Sequence, residues 1–70
     1  MQANILKGKI VESGMTVGEF CEKAGFVRST FDRKINGTSE FNRDEIQTII
    51  DTLGLTWEDA QKIFFANKLT

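Results

Sequence analysis

Between Lys23 and Arg43 five cationic side chains (Lys23, Arg28, Arg33, Lys34 and Arg43) stand against two carboxylates, Asp32 and Glu40. From Asp44 to Phe65 the balance inverts: Asp44, Glu45, Asp51, Glu58 and Asp59 face Lys62 alone. A chain with a net charge of −1 is therefore divided into a basic middle and an acidic C-terminal third. The densest part of the basic region, AGFVRSTFDRKING over residues 24–37, mixes Arg28, Arg33 and Lys34 with Ser29, Asp32 and two phenylalanines. Guanidinium and hydroxyl groups at this density suit hydrogen-bonded recognition of phosphates and base edges. On an arbitrary helix the same cations would be no more than a solvated face.

Other chemistry is poorly provided for. With no histidine and one cysteine there is no zinc-ligand set, no intramolecular disulfide and no nucleophile paired with a base. Cys21 falls on a face expected to point inward, as a small core residue. The expectation is a protein that is not an enzyme, with no catalytic residue, metal, cofactor or small-molecule substrate. Seventy residues make one domain, because a chain of this size buries only about 60% of its unfolded surface and cannot sustain two cores. Without a covalent or metal staple its stability must come from packing, helped by self-association. No apolar run approaches the length of a membrane span, and the opening MQANILKGKI has no signal-peptide core. A soluble, cytoplasmic protein with no membrane partner is expected.

The elements that must position the basic residues are helices. There is no proline and no convincing alternating strand pattern, so glycine, asparagine and threonine punctuate the chain. A first helix over about 2–13 places Ile5, Leu6, Ile10 and Val11 at helical spacing and stops at Gly14. Thr16 with Glu19 forms a capping box for a second helix over 17–24, burying Phe20, Cys21 and Ala24. Gly25 turns the chain into a third helix from 27 or 28 to 36, ended by Asn36-Gly37. Asn42 with Glu45 opens a fourth to Leu53, with Ile46, Ile49, Ile50 and Leu53 inward and Gly54 closing it. Thr56 with Asp59 opens a fifth through Trp57, Ala60, Ile63, Phe64 and Phe65.

At about 100° per residue, Phe31 and Ile35 fall within about 40° of each other on the third helix, whereas Ser29, Asp32, Arg33 and Asn36 lie about 100° to 200° from Phe31. The buried stripe and the polar face are on different sides. Two short helices joined by a glycine turn, the second bearing cations, are the sequence form of a helix-turn-helix, here over about 16–36.

The pattern resembles the Cro and CI-type phage repressors, helix-turn-helix transcriptional regulators of the Xre class. It is carried by the leading helix, the M-T opening at Met15-Thr16, and Phe20, Cys21, Ala24, Gly25, Phe26 and Phe31 through the two helices. The N-G after the third helix, F-N-R-D-E-I at the start of the fourth and L-G-L-T-W-E-D at the start of the fifth extend it over nearly the whole chain. Three positions depart from the family's habit. Val27 stands where a polar N-cap is common, Val17 where glutamine is frequent, and Lys34 where an apolar residue is usual.

The resemblance implies an all-α, compact five-helix domain of the lambda-repressor-like type, acting as a sequence-specific transcriptional repressor. Its partner would be double-stranded operator DNA of palindromic form, bound by a homodimer through the helix at about 28–36. Arg28, Ser29, Asp32 and Arg33 are then the candidates for base contacts, Asp32 either accepting from cytosine N4 or orienting Arg33. Phosphate contacts fall to Thr16 and Val17 at the start of the second helix, where the dipole favours an anion, and to Lys34, Asn36, Gly37, Thr38 and Arg43 around the loop after the third. The stem of Lys34 would lie over the core edge with its ammonium in water. Trp57, Phe64 and Phe65 are too many aromatics for one short helix to bury and are the candidate dimer contact. The rival reading is a helix-turn-helix-fold module that binds another regulator, as an antirepressor does. Val17 and the acidic C-terminal third favour it.

Overall fold

The computed structural model describes residues 2–65. The chain runs α1 (Ala3–Glu12), α2 (Val17–Ala24), α3 (Arg28–Ile35), α4 (Arg43–Leu53) and a single turn α5 (Trp57–Ala60) that passes into a π-helical turn (Gln61–Phe65). No strand occurs among the described residues.

Three of the five helices are opened by their own side chains. Thr16 Oγ1 accepts from the Glu19 amide at 3.1 Å while Glu19 Oε1 accepts from the Thr16 amide at 2.8 Å. The same reciprocal pair joins Asn42 to Glu45 (2.8 and 2.9 Å) and Thr56 to Asp59 (3.0 and 3.4 Å). α3 has no side-chain cap, since Val27 offers no acceptor. Between α2 and α3 the turn is made at Gly25, with φ of +83°; the amides of Gly25 and Phe26 both donate to the Cys21 carbonyl, at 2.9 and 2.8 Å. A side chain at that φ would be strained, so the tight approach of the two helices depends on glycine.

The core gathers Leu6 and Ile10 of α1, Phe20 and Cys21 of α2, Phe31 and Ile35 of α3, Ile49 of α4 and Ile63 of the π turn. α1 packs on α2 and on the π turn, and α2 packs on α3 and α4. Phe20, Phe26 and Phe31 form a triangle with centroids 5.5 to 6.2 Å apart. Phe41, in the loop after α3, extends it to Phe26 and Phe31 and meets Phe64 edge-on. Aromatic pairs at these distances add to simple burial. The cluster ties the α2–α3 pair to the π turn.

Two expectations about packing are corrected. Ile5 and Val11, at helical spacing with the core residues of α1, stay 37% and 68% exposed, and of α1 only Leu6 and Ile10 are fully buried. The fifth helix does not continue as an α-helix to Phe65. Ile63, Phe64 and Phe65 are three bulky neighbours that need separate partners, and in the π turn Ile63 enters the core, Phe64 meets Phe41 and Phe65 lies against Trp57.

Candidate nucleic-acid interface

The side of α3 opposite Phe31 and Ile35 presents the polar residues that periodicity separated from the core. Ser29 and Arg33 are exposed, and Asp32 is partly so; Arg28, nearer the buried stripe, is exposed as well. Burying Phe31 and Ile35 sets this orientation, since rotating the helix would bury a guanidinium. Among the described residues no carboxylate lies within ion-pair distance of Arg33 or Arg43.

Arg28 is placed differently from Arg33. It sits one turn before both Phe31 and Asp32, about 60° around the helix from Phe31, and so on the flank beside α2. Its Nε donates to Asp32 Oδ1 at 3.2 Å, and its Nη1 reaches Gly18 in the first turn of α2. The expected link from Asp32 to Arg33 is therefore corrected. Side chains four apart on a helix meet, while adjacent ones diverge by about 100°.

Beside this flank lies the N-terminus of α2. The Thr16 amide is committed to Glu19, and Val17 packs its side chain against the core, which leaves the amides of Val17 and Gly18 as the donors that helix geometry cannot satisfy internally. Thr16 itself is exposed, so its hydroxyl can still donate while accepting from Glu19.

On the far side of α3 the expected phosphate contacts divide. Asn36, Thr38 and Arg43 are exposed. Gly37 gives its amide to the Lys34 carbonyl at 3.2 Å and has no side chain, so it retains no donor. Lys34 is also corrected: its ammonium is not in open water. Nζ lies 2.6 Å from both carboxylate oxygens of Glu45 and 5.8 Å above the Phe41 ring. Glu45 thus caps α4, through its bond to the Asn42 amide, and anchors the end of α3 at once. The Lys34 ammonium, with the Asn42 amide, outweighs partial burial and holds the Glu45 carboxyl below its ordinary value. Eleven residues separate the partners, too far for helical spacing to reveal the pair.

The three C-terminal aromatics also divide. Phe64 is partly buried against the core through Phe41. Trp57 is 68% exposed with Phe65 tilted against it at 6.2 Å. Cys21 is buried, and burial pushes its thiol up against the opposing influence of Arg28, which leaves it a packing residue. Acidic Asp44, Asp51 and Glu58 are exposed on α4 and α5. No helix among the described residues is long and apolar enough to cross a membrane.

Compared with known protein families, residues 6–63 match the model of the Cro/C1-type HTH DNA-binding domain. No curated protein and no solved structure matches the chain.

Proposed function

Because the chain belongs to the Cro/C1-type helix-turn-helix DNA-binding domains, and so is a DNA-binding regulator, we propose that it is a cytoplasmic, sequence-specific transcriptional repressor of the Cro type. The observation that carries the reading is the exposed polar face of α3, set by the burial of Phe31 and Ile35 on its other side. In this reading α3 enters the major groove, where Arg33 and Arg28 donate to paired acceptors such as guanine O6 and N7 and Ser29 meets a base edge. Asp32 acts through Arg28. Register is fixed by phosphates at the Val17 and Gly18 amides and the Thr16 hydroxyl on one side, and at Asn36, Thr38 and Arg43 on the other. With Lys34 neutralised by Glu45, one subunit commands few phosphate contacts. Weak, salt-sensitive binding by a single copy is remedied by a homodimer on a palindromic operator, with half-sites about one helical turn apart. Trp57 and Phe65 supply the dimer contact, with Phe64 behind them. Repression follows from occlusion of polymerase.

A band-shift titration on the DNA flanking the gene tests this. A specific complex that weakens steeply with salt is expected; its absence at low salt removes the reading. The rival, a module that binds another regulator, draws on the pairing of Lys34 and Arg28 with carboxylates, which lowers the free cation count of the basic region. Pull-down of a protein partner by a chain with no affinity for DNA would decide for it.

A further inference from the structure

Six glycines occur in the chain, and four of them (Gly14, Gly25, Gly37 and Gly54) have positive φ at the ends of helices. Gly8 and Gly18 are inside helices with ordinary backbone, where glycine costs up to about 1 kcal/mol relative to alanine. A Cβ on Gly8 would meet nothing within 4 Å. A Cβ on Gly18 would stand 3.3 Å from Nη1 of Arg28, tighter than an ordinary contact. Gly18 is thus the one glycine whose missing side chain is matched to another residue's head group, and that residue is the first of the candidate recognition helix.

A Cβ on Gly18 would press the guanidinium a few tenths of an ångström off its place. Its Nε donates to Asp32 Oδ1 at 3.2 Å, so a displacement away from α2 is felt at that bond. Asp32 on Nε and the bare backbone of Gly18 beside Nη1 together place the guanidinium on the flank between α2 and α3. A bidentate contact needs the guanidinium plane fixed, because both hydrogen bonds must align with two acceptors at once.

We propose that Gly18 is a specificity-determining position: its bare backbone makes the space in which Asp32 holds the Arg28 guanidinium, and this placement decides which base edge Arg28 reaches. The proposal rests on the reading of Arg28 as a base-contacting residue. Gly18 is a positioning residue and need touch no base itself.

The test uses the full chain and the tightest duplex it recovers from a randomised DNA pool, with a scrambled duplex as competitor. Gly18→Ala is expected to raise Tm by a few degrees, since alanine is the better helix former. In the same protein the ratio of specific to scrambled affinity should fall about tenfold, a ratio in which any change at the phosphate contacts shared by both duplexes cancels. A merely structural role would move stability and discrimination together. In an Arg28→Ala background the substitution should change that ratio by less than about twofold, because the group it displaces is gone. A full effect of Gly18→Ala persisting without Arg28, or an unchanged ratio in Gly18→Ala while Arg28→Ala lowers it, overturns the role of Gly18 alone. An unchanged ratio in Arg28→Ala overturns the base-reading role of Arg28 as well. Side-chain NMR of the free protein supplies an arm without DNA. The Arg28 Nε–H signal should be protected from exchange in the native chain and lose that protection in both Gly18→Ala and Asp32→Asn. Absence of protection in the native chain also overturns the proposal.

Discussion

α3 and α4 lie on either side of the loop that carries Phe41, and their first turns are built on opposite plans. α4 opens with the Asn42–Glu45 box and carries Asp44 and Glu45 where the helix dipole favours negative charge. α3 opens on Val27 without a cap, with Arg28 and no acid in its first turn. By local rules α4 is well begun and α3 is badly begun. α3 is held from elsewhere, by Phe31 between three phenylalanine rings and Ile35 in the core. Such a helix keeps its N-terminal amides free of a carboxylate cap. That arrangement weakens an isolated helix and suits a polyanionic partner. In α4 the order of the helix start is local and acidic; in α3 it is borrowed from the core, and the exposed turn is left without an acid.

The largest test of this contrast removes what α3 borrows. Phe31→Ala should cost about 3–5 kcal/mol through lost burial and the cavity left among the rings. A domain this small has little more than that in reserve, so urea unfolding should find the variant largely unfolded in buffer. A midpoint close to the native one would mean that α3 stands on local interactions after all.

A second test compares the free cations of the two helices. Arg33→Ala should relax base preference at one position of the site, a loss of about 1–3 kcal/mol in discrimination, read by competition between single-base variants of the selected duplex. Arg43→Ala, at the first residue of α4, should weaken all sequences alike and shallow the salt slope by about one. It should also stabilise the fold slightly, because a cation leaves a helix N-terminus.

Glu45 sharpens the comparison from the α4 side. Glu45→Gln keeps the shape but loses the charge that holds Lys34, and should cost about 1–2 kcal/mol at neutral pH. Because the folded carboxyl lies below its ordinary value of 4.5, its contribution is fully present above that pH. It is lost as pH falls through the lower folded value. Thermal melts should therefore show the gap between the native chain and Glu45→Gln closing progressively as pH falls below 4.5. A gap constant across that range would mean the carboxylate gives no linked stability.

What was legible in the sequence follows the range of the interactions. Thr16–Glu19, Asn42–Glu45 and Thr56–Asp59 are three residues apart and declare themselves, as do the glycine stops, because a cap is written in consecutive residues. Leu6, Ile10, Phe20, Phe31 and Ile49 follow from spacing. Ile5 and Val11 mislead because periodicity gives the direction of a stripe but not how wide the partner surface is. Lys34–Glu45 and Arg28–Gly18 join different helices across turns, and no single-element pattern contains them. Lys34 could be read only as a departure from an apolar position. Gly18 could have been singled out as a glycine inside a capped helix with no turn to make.

The smallest effect comes from giving α3 the start that α4 already has. Val27 is 66% exposed and its backbone is extended, as an N-cap requires, so replacing it loses little burial. Val27→Ser should therefore gain about 0.5–1 kcal/mol, seen as a Tm rise of several degrees. Val27→Asp should gain at least as much at low salt, since its charge also complements the dipole. The two variants should part on DNA. Serine adds no charge and should leave affinity within about twofold, whereas the carboxylate would stand beside the turn proposed to enter the groove and should weaken binding severalfold at low salt, less at high salt. Equal affinity of the serine and aspartate variants would mean that the uncapped start of α3 is not near the DNA, and that its poverty of acid has no bearing on recognition.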